Sequence, residues 1–367
     1  MFHASMTKLS PLCLLLICMV VLLGASVSST AQTPLYQLHK DGKIWRYTGS
    51  PCNGSSCPGW QMLDNNLATK AIVADGTLLY QLHNNGKIFR FTGTPCSGNN
   101  CPGWRMLDNN TATKSIVAAN GQLFQLHTSG KIWQFTGTPC NGDNCPGWQM
   151  LDNNAMTLAI VADTVPLISN PSAHANLTVG TIGSGTLLYQ LHKNGRIFRY
   201  TGTPCSGAFC PGWQMLDNNP ATKSIIAGAG RLYQMHETGK IWRYTNIPCN
   251  GDSCPGWQML HNDSRNVLIV AGGDRLYRVN SAPSFQHSVN TIWIFTGTPC
   301  SGNNCPGWQM LSRNVLRSTI AANRVDLYQL FLSGPIFKFN GTPCSGNSCP
   351  GWQMLDNNPS TRAIESH

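Results

Sequence analysis

One segment is written seven times in this chain, each time around a Cys-x4-Cys pair. The shared pattern is Leu-Tyr-Gln-Leu-His-x-x-Gly-Lys-Ile-Trp-Arg-Tyr-Thr-Gly-Thr-Pro-Cys-x-Gly-x-x-Cys-Pro-Gly-Trp-Gln-Met-Leu-Asp-Asn-Asn. The pairs are Cys52 and Cys57, Cys96 and Cys101, Cys140 and Cys145, Cys205 and Cys210, Cys249 and Cys254, Cys300 and Cys305, and Cys344 and Cys349. Four of the six intervals between first cysteines are 44 residues, and the third and fifth are 65 and 51. A supersecondary unit repeated at a period of roughly 20–50 residues buries its apolar face only against its neighbours, so the repeat dictates the architecture.

Within a copy the hydrophobic period is two. Leu35 to His39 and Ile44 to Thr48 are rich in strand formers, and Asp41-Gly42 between them signals a two-residue hairpin turn. Asn85-Gly86, Ser129-Gly130, Asn194-Gly195 and Thr238-Gly239 stand at the same place in other copies. The Pro-Cys-x-Gly-x-x-Cys-Pro-Gly stretch must turn. Trp60 to Leu63 reads as a further strand, and Ala71 to Ala74 as another beyond the polar Asp64-Asn65-Asn66 loop. No segment carries a useful helical period. Four short strands per copy make a propeller blade. The expected fold is all-β: a seven-bladed β-propeller with four antiparallel strands per blade. Residues 361–366 match an inner strand, and residues 35–39 match a second strand. The ring therefore closes by pairing Thr361 to Ser366 with Leu35 to His39, which removes two exposed edges. Two copies carry insertions. Thr164 to Thr186 falls between a first and second strand, on the face of the disulfide loops. Ser281 to Val289 falls in a hairpin turn, on the opposite face with the Asp-Gly turns and Asp-Asn-Asn loops.

Residues 1–31 read as a secretory signal peptide: Lys8 precedes the apolar run Leu12 to Leu23, and small residues reach Ala31, with Ala25 the rival cleavage site. Residues 32–367 then form a single domain, secreted and extracellular, with no membrane span after cleavage. In that compartment the cysteines of each pair oxidise with one another. Zinc is the rival reading, but its ligands usually come as Cys-x2-Cys with a second pair or histidines. No metal and no cofactor is expected. The Asp-Asn-Asn loops are too short a run of oxygens for calcium and read as polar turns. The net charge of +10 is spread at one or two positive charges net per repeat, without the clustering a nucleic-acid partner needs. Sequons occur at Asn53, Asn109, Asn176, Asn262 and Asn340.

With a two-residue turn, Tyr36 opposes Tyr47, Gln37 opposes Arg46, Leu38 opposes Trp45, and His39 opposes Ile44. One blade face is then aromatic (Tyr36, Leu38, Trp45, Tyr47) and the other polar-bearing (Gln37, His39, Ile44, Arg46). The polar set recurs as Gln81, His83 and Arg90, then as Gln125 and His127 with Gln134. It returns as Gln190, His192 and Arg199, and as Gln234, His236 and Arg243. The sixth copy has Arg278 and Asn280 instead; the seventh keeps Gln329 but has Phe331 and Lys338. These groups, with Trp45, Trp133 and Trp242, are the candidate ligand contacts between blades. Sugars suit an aromatic wall with convergent polar groups. The same residues equally serve to satisfy one another inside the protein. The repeated Trp60, Trp104, Trp148, Trp213, Trp257, Trp308 and Trp352 either stack ligand near the rim or cover the disulfide and the next blade.

No nucleophile elbow, His-Glu-x-x-His or phosphate-binding glycine loop is present, so no enzyme is expected. Near-identical copies offer one group many times, which suits multivalent binding. Read circularly, a blade runs Trp-Gln-Met-Leu, a polar loop, Ile-Val-Ala-x-Gly, Leu-Tyr-Gln-Leu-His and Asp-Gly-Lys-Ile-Trp-Arg-Tyr-Thr-Gly. This order resembles the tectonin and tachylectin-2-like repeats over nearly all of residues 35–367, with the disulfide loop as an addition. The resemblance implies a propeller lectin that binds glycans between blades, with cell-surface glycans or glycoproteins as partners. The alternative is a secreted protein-binding or structural propeller acting through its rims.

Overall fold

The computed structural model describes residues 33–164, 185–283, 288–316 and 318–366. The expected signal peptide and most of the first insertion lie outside these residues. The described chain is all-β, in seven sheets of four antiparallel strands. The second blade shows the plan. Its inner strand is Thr69–Asp75, followed outward by Leu78–His83, Ile88–Phe91 and Trp104–Asp108. The inner strands of successive blades adjoin one another around the ring.

Closure is as the repeat frame requires. Thr361–Ser366 pairs antiparallel with Leu35–His39, Leu35 opposite Ser366 and Gln37 opposite Ile364. The first blade is thus built from both ends of the described domain, and its inner strand adjoins those of the second and seventh blades. Apolar residues pack between blades. Tyr36, Leu38, Ile44 and Leu63 of the first blade meet Ile72, Ala74 and Leu79 of the second. Equivalent clusters fill the other gaps.

The hairpin register differs from expectation by one residue. Tyr36 opposes Arg46, Gln37 opposes Trp45 and Leu38 opposes Ile44. The connection is three residues long: His39 N–H donates to Lys43 O (2.9 Å) and Gly42 N–H to His39 O (3.0 Å). Gly42 takes φ +80°, the left-handed residue that ends such a turn. A Cβ there would come within 2.2 Å of Asn66 O, so the turn lies against the Asp-Asn-Asn loop. Because side chains alternate along a strand, the extra turn residue moves each one of Ile44 to Tyr47 to the opposite face. Gln37, His39, Trp45 and Tyr47 share one face, toward the preceding blade. Tyr36, Leu38, Ile44 and Arg46 share the other.

Two bulges recur. In the second blade the inner-strand register shifts between Thr69 and Ala71, leaving Lys70 as the unpaired residue. Thr69 is buried and Lys70 exposed. On the outer strand of the first blade Ile44 faces Asp64 and Trp45 faces Met62, leaving Leu63 unpaired. A bulge re-aims its residues and frees backbone groups. Those freed groups tie blade to blade. The sixth blade is taller than its neighbours: Arg275–Pro283, Ser288–Phe295 and Trp308–Leu316 extend together through the second insertion. The first insertion joins Thr164 to Thr186, which pair with each other between an inner and a second strand.

Candidate functional site

The gap between blades is assembled from the run Trp-Gln-Met-Leu-Asp of one blade and the Gln and His of the next. Leu63 O accepts Trp104 Nε1–H at 2.9 Å, and Met62 O accepts the Cys96 N–H at 3.1 Å. All seven tryptophans donate in this way to a leucine carbonyl of the preceding blade. They cover the preceding blade, not the following one as expected, because the bulge exposes that carbonyl on the outer edge. The disulfide loop lies along the same edge. All seven cysteine pairs are bonded, each with Cα atoms 4.1 Å apart. Asn65 Nδ2 completes the clasp by donating to Asn99 O in the next loop (2.9 Å). The disulfide loop is therefore more than a link between its own two strands: it covers an edge strand that would otherwise invite pairing. Among the sequons, the amides of Asn109 and Asn262 are spent on this clasp, while Asn53 and Asn340 are exposed. Asn176 lies outside the described residues.

Deeper in the gap, the glutamines are spent inside the protein. Thr69 Oγ1–H donates to Gln81 Oε1 at 2.8 Å, and the same bond joins Thr113 to Gln125, Thr157 to Gln190, Thr222 to Gln234 and Thr361 to Gln37. On its other side the amide meets the aspartate of the preceding blade: Gln125 Nε2 donates to Asp108 Oδ2 and Gln234 Nε2 to Asp217 Oδ2, each at 2.8 Å. Asp64, Asp152 and Asp356 stand in the same place beside Gln81, Gln190 and Gln37. Burial raises the pKa of each of these aspartates, opposed by the glutamine amide and the N–H groups of the next two residues. The Asp and Thr members had read as turn and strand residues. Their signal was present as a Thr twelve positions before Gln in three of the copies.

The histidines lie beside these bridges, each against the third-strand aromatic of its own blade. Ring centroids are 5.8 Å apart for His39 and Trp45, 4.5 Å for His83 and Phe89, and 5.8 Å for His127 and Trp133. His192 with Phe198 and His236 with Trp242 repeat the pair. Burial lowers the pKa of all five, His192 to about 4. Each Nε2 is buried without a hydrogen-bond partner, as are the indole Nε1 atoms of Trp45, Trp133 and Trp242.

The arginines do not join them. Arg46 projects from the opposite face and donates to Gln61 Oε1 at 2.6 Å; Arg199 and Arg243 bond Gln214 and Gln258 likewise. Arg90 holds the same position, opposite Tyr80 and Arg105. The expected Gln–His–Arg set is thus divided between two gaps, Gln and His in one and Arg in the next. The one-residue register shift is the cause.

The last two gaps before closure depart from the pattern. Where the other gaps have Asp, Thr, Gln and His, the gap between the fifth and sixth blades has His261, Asn266, Arg278 and Asn280. Where they have Asp, the following gap has Ser312, and Phe331 replaces its His. Among the described residues no group of three or more His, Cys, Asp or Glu side chains is placed to hold a metal ion.

No family model and no curated protein matches the chain. Solved structures do. Prp20p from Saccharomyces cerevisiae aligns over 89% of this chain and 87% of its own, at 9% identity and a TM-score of 0.51. YCF48 bound to a D1 peptide covers 84% of this chain and 88% of its own, at 12% identity and a TM-score of 0.45. A structure of the nidogen/laminin complex covers 72% of this chain and 89% of its own, at 11% identity and a TM-score of 0.39. These neighbours are β-propellers. At such identities the likeness is one of fold.

Proposed function

We propose that the protein is an extracellular, multivalent carbohydrate-binding propeller, a lectin of the tectonin and tachylectin-2-like kind that takes glycans between its blades. The observation that carries this reading is the repeated His-on-aromatic pair whose imidazole Nε2 has no protein partner. A buried polar atom without a partner is costly, and five histidines in equivalent places share that condition. A sugar offers hydroxyls to such nitrogens and C–H groups to the neighbouring ring. Equal sites around a ring gain avidity on a surface that displays many copies of one glycan. The seven disulfides are consistent with an extracellular setting. No helix among the described residues is long and apolar enough to cross a membrane.

The test is a glycan array and a cell-agglutination assay on the oxidised protein, with His39, His83, His127, His192 and His236 changed singly and together to Phe, the residue at position 331. Array signals that weaken with each added substitution are expected. Undiminished signals in the fivefold variant would remove the histidines from the site, and a blank array with no agglutination would end the carbohydrate reading.

A second reading has its own observation. The sixth blade rises past its neighbours on one face, which suits capture of a protein partner through a rim. Shortening residues 281–289 to a two-residue turn should then abolish partner capture and leave array binding intact.

A further inference from the structure

The gap between the fifth and sixth blades has been rewritten at four positions together. In five of the other six gaps a carboxylate (Asp64 and its equivalents) faces a neutral glutamine. Here the glutamine position holds Arg278, and the carboxylate position holds His261. Had Arg278 been recruited only to strengthen the joint, the aspartate already used in five other gaps was the ready counter-ion. Instead the cation was introduced and the anion was removed.

Arg278 is 3% exposed. Its guanidinium lies over two indoles, 4.8 Å from the Trp293 ring centroid and 4.7 Å from that of Trp308. Nη1 donates to Asn266 Oδ1 (3.1 Å) and Asn280 Oδ1 (2.6 Å), both neutral acceptors. Its Nε is buried without a partner, and so are both ring nitrogens of His261. The nearby Asp263 is engaged by Arg265, Nε at 2.9 Å and Nη2 at 2.5 Å; its carbonyl accepts from Asn266 Nδ2 at 3.0 Å, its carboxylate meets Asn280 Nδ2 at 3.5 Å, and its charge favours the Arg278 cation without a direct ion pair. Cation–π contacts and neutral hydrogen bonds offset part of the cost of burying the cation. They supply no negative charge.

We propose that this gap is an anion site for the carboxylate of an acidic sugar, a uronate or sialate unit, held by Arg278 and His261 beside Trp293 and Trp308. The assignment rests on the carbohydrate reading above for the sugar part of its ligand, and on the guanidinium for the carboxylate part. A planar guanidinium is suited to a carboxylate, and aromatic rings near it suit the C–H groups of a pyranose. Burial lowers the His261 pKa to about 4, so at neutral pH the imidazole offers one N–H and one lone pair to the ligand. Burial also lowers Arg278, to about 9, which leaves it cationic at neutral pH.

The experiment titrates the oxidised protein with glucuronic acid, glucose and sodium acetate, reading tryptophan fluorescence and calorimetric heat. Two variants accompany it. His261→Asp gives Arg278 a carboxylate from the protein itself. The triple change His261→Asp, Asn266→Thr and Arg278→Gln rebuilds the bridge of the intact gaps, so folding is preserved by a design the molecule already uses. Saturable glucuronate binding in the wild type, weakened at least tenfold in both variants, is the expected result. No glucuronate binding in the wild type, or equal binding in the triple variant, overturns the site. Acetate binding as tightly as glucuronate overturns the sugar assignment. Glucuronate binding that survives a blank neutral-glycan array, and is lost in the triple variant, leaves this site standing while the reading of the repeated gaps falls.

Discussion

At the residue scale, the sequence Met-Leu-Asp shows how completely one strand is committed to its neighbour. Met62 O receives a backbone N–H from the next disulfide loop, Leu63 O receives an indole N–H, and Asp64 faces the next glutamine. The histidines are less fully committed, and they titrate accordingly. Burial lowers His192 to about 4, against about 6.5 unfolded. The folded protein therefore binds fewer protons than the unfolded chain between those values. Stability from this residue is fully present above pH 6.5 and is lost as pH falls toward 4. The loss by pH 5 is on the order of 1–2 kcal/mol for this residue. His192→Phe should leave the urea midpoint nearly unchanged at pH 7 and raise it relative to wild type at pH 5. The comparison must be made between the two proteins. The raised aspartates act in the opposite sense, and Asp163, raised to about 6 by burial, protonates in the same window. A wild-type and variant pair with parallel pH profiles would show His192 to be solvated.

At the scale of the element, the disulfide loop joins two functions. It closes a six-residue ring, worth about 2 kcal/mol in the chain-entropy model. It also lays a backbone N–H on the preceding blade's edge. Changing Cys96 and Cys101 together to Ser should lower stability by about 2 kcal/mol. The Cys96 amide, which donates to Met62 O, should lose hydrogen-exchange protection while the strands beneath keep theirs. Retained protection at that amide would show that the loop holds its place without the bond. The hairpin carries a different lesson. Asp41-Gly42 correctly signalled a turn, yet a glycine at φ +80° serves a three-residue connection as well as a two-residue one. What decided between them was the Asp-Asn-Asn loop, whose Asn66 carbonyl sits where a Cβ on Gly42 would be. That loop is distant from the hairpin's own strands in sequence order, so local chemistry could not weigh it.

At the scale of the whole molecule, the ring is held by exchanging one strand. Ser366 pairs with Leu35 where the second blade has Ala74 paired with Leu79, followed by Asp75 paired with Leu78 across a two-residue turn. A circular permutant that joins Ser366 to Leu35 through such a turn, and opens within residues 165–184, moves the exchange to the fourth blade and should fold with a similar thermal midpoint. Opening instead at Asn65-Asn66 makes every blade contiguous and leaves the ring closed by side-chain packing and edge clasps. That permutant should melt at a lower temperature and lose cooperativity. Equal midpoints for the two would show that strand exchange adds nothing to closure.

Blade number, strand content, cysteine pairing and the manner of closure were all legible in the residues 33–366, because each follows from a period or from local chemistry repeated seven times. The candidate site was legible only in part. Gln37, His39 and Trp45 do meet in one gap, but Arg46 belongs to the next, since which face a side chain takes depends on a register set by a loop from elsewhere in the blade. The Thr–Gln–Asp bridge and the surroundings of the buried Arg278 guanidinium needed separate strands brought together. A one-dimensional pattern records which residues recur; only packing decides which of them are left with nothing in the protein to bind.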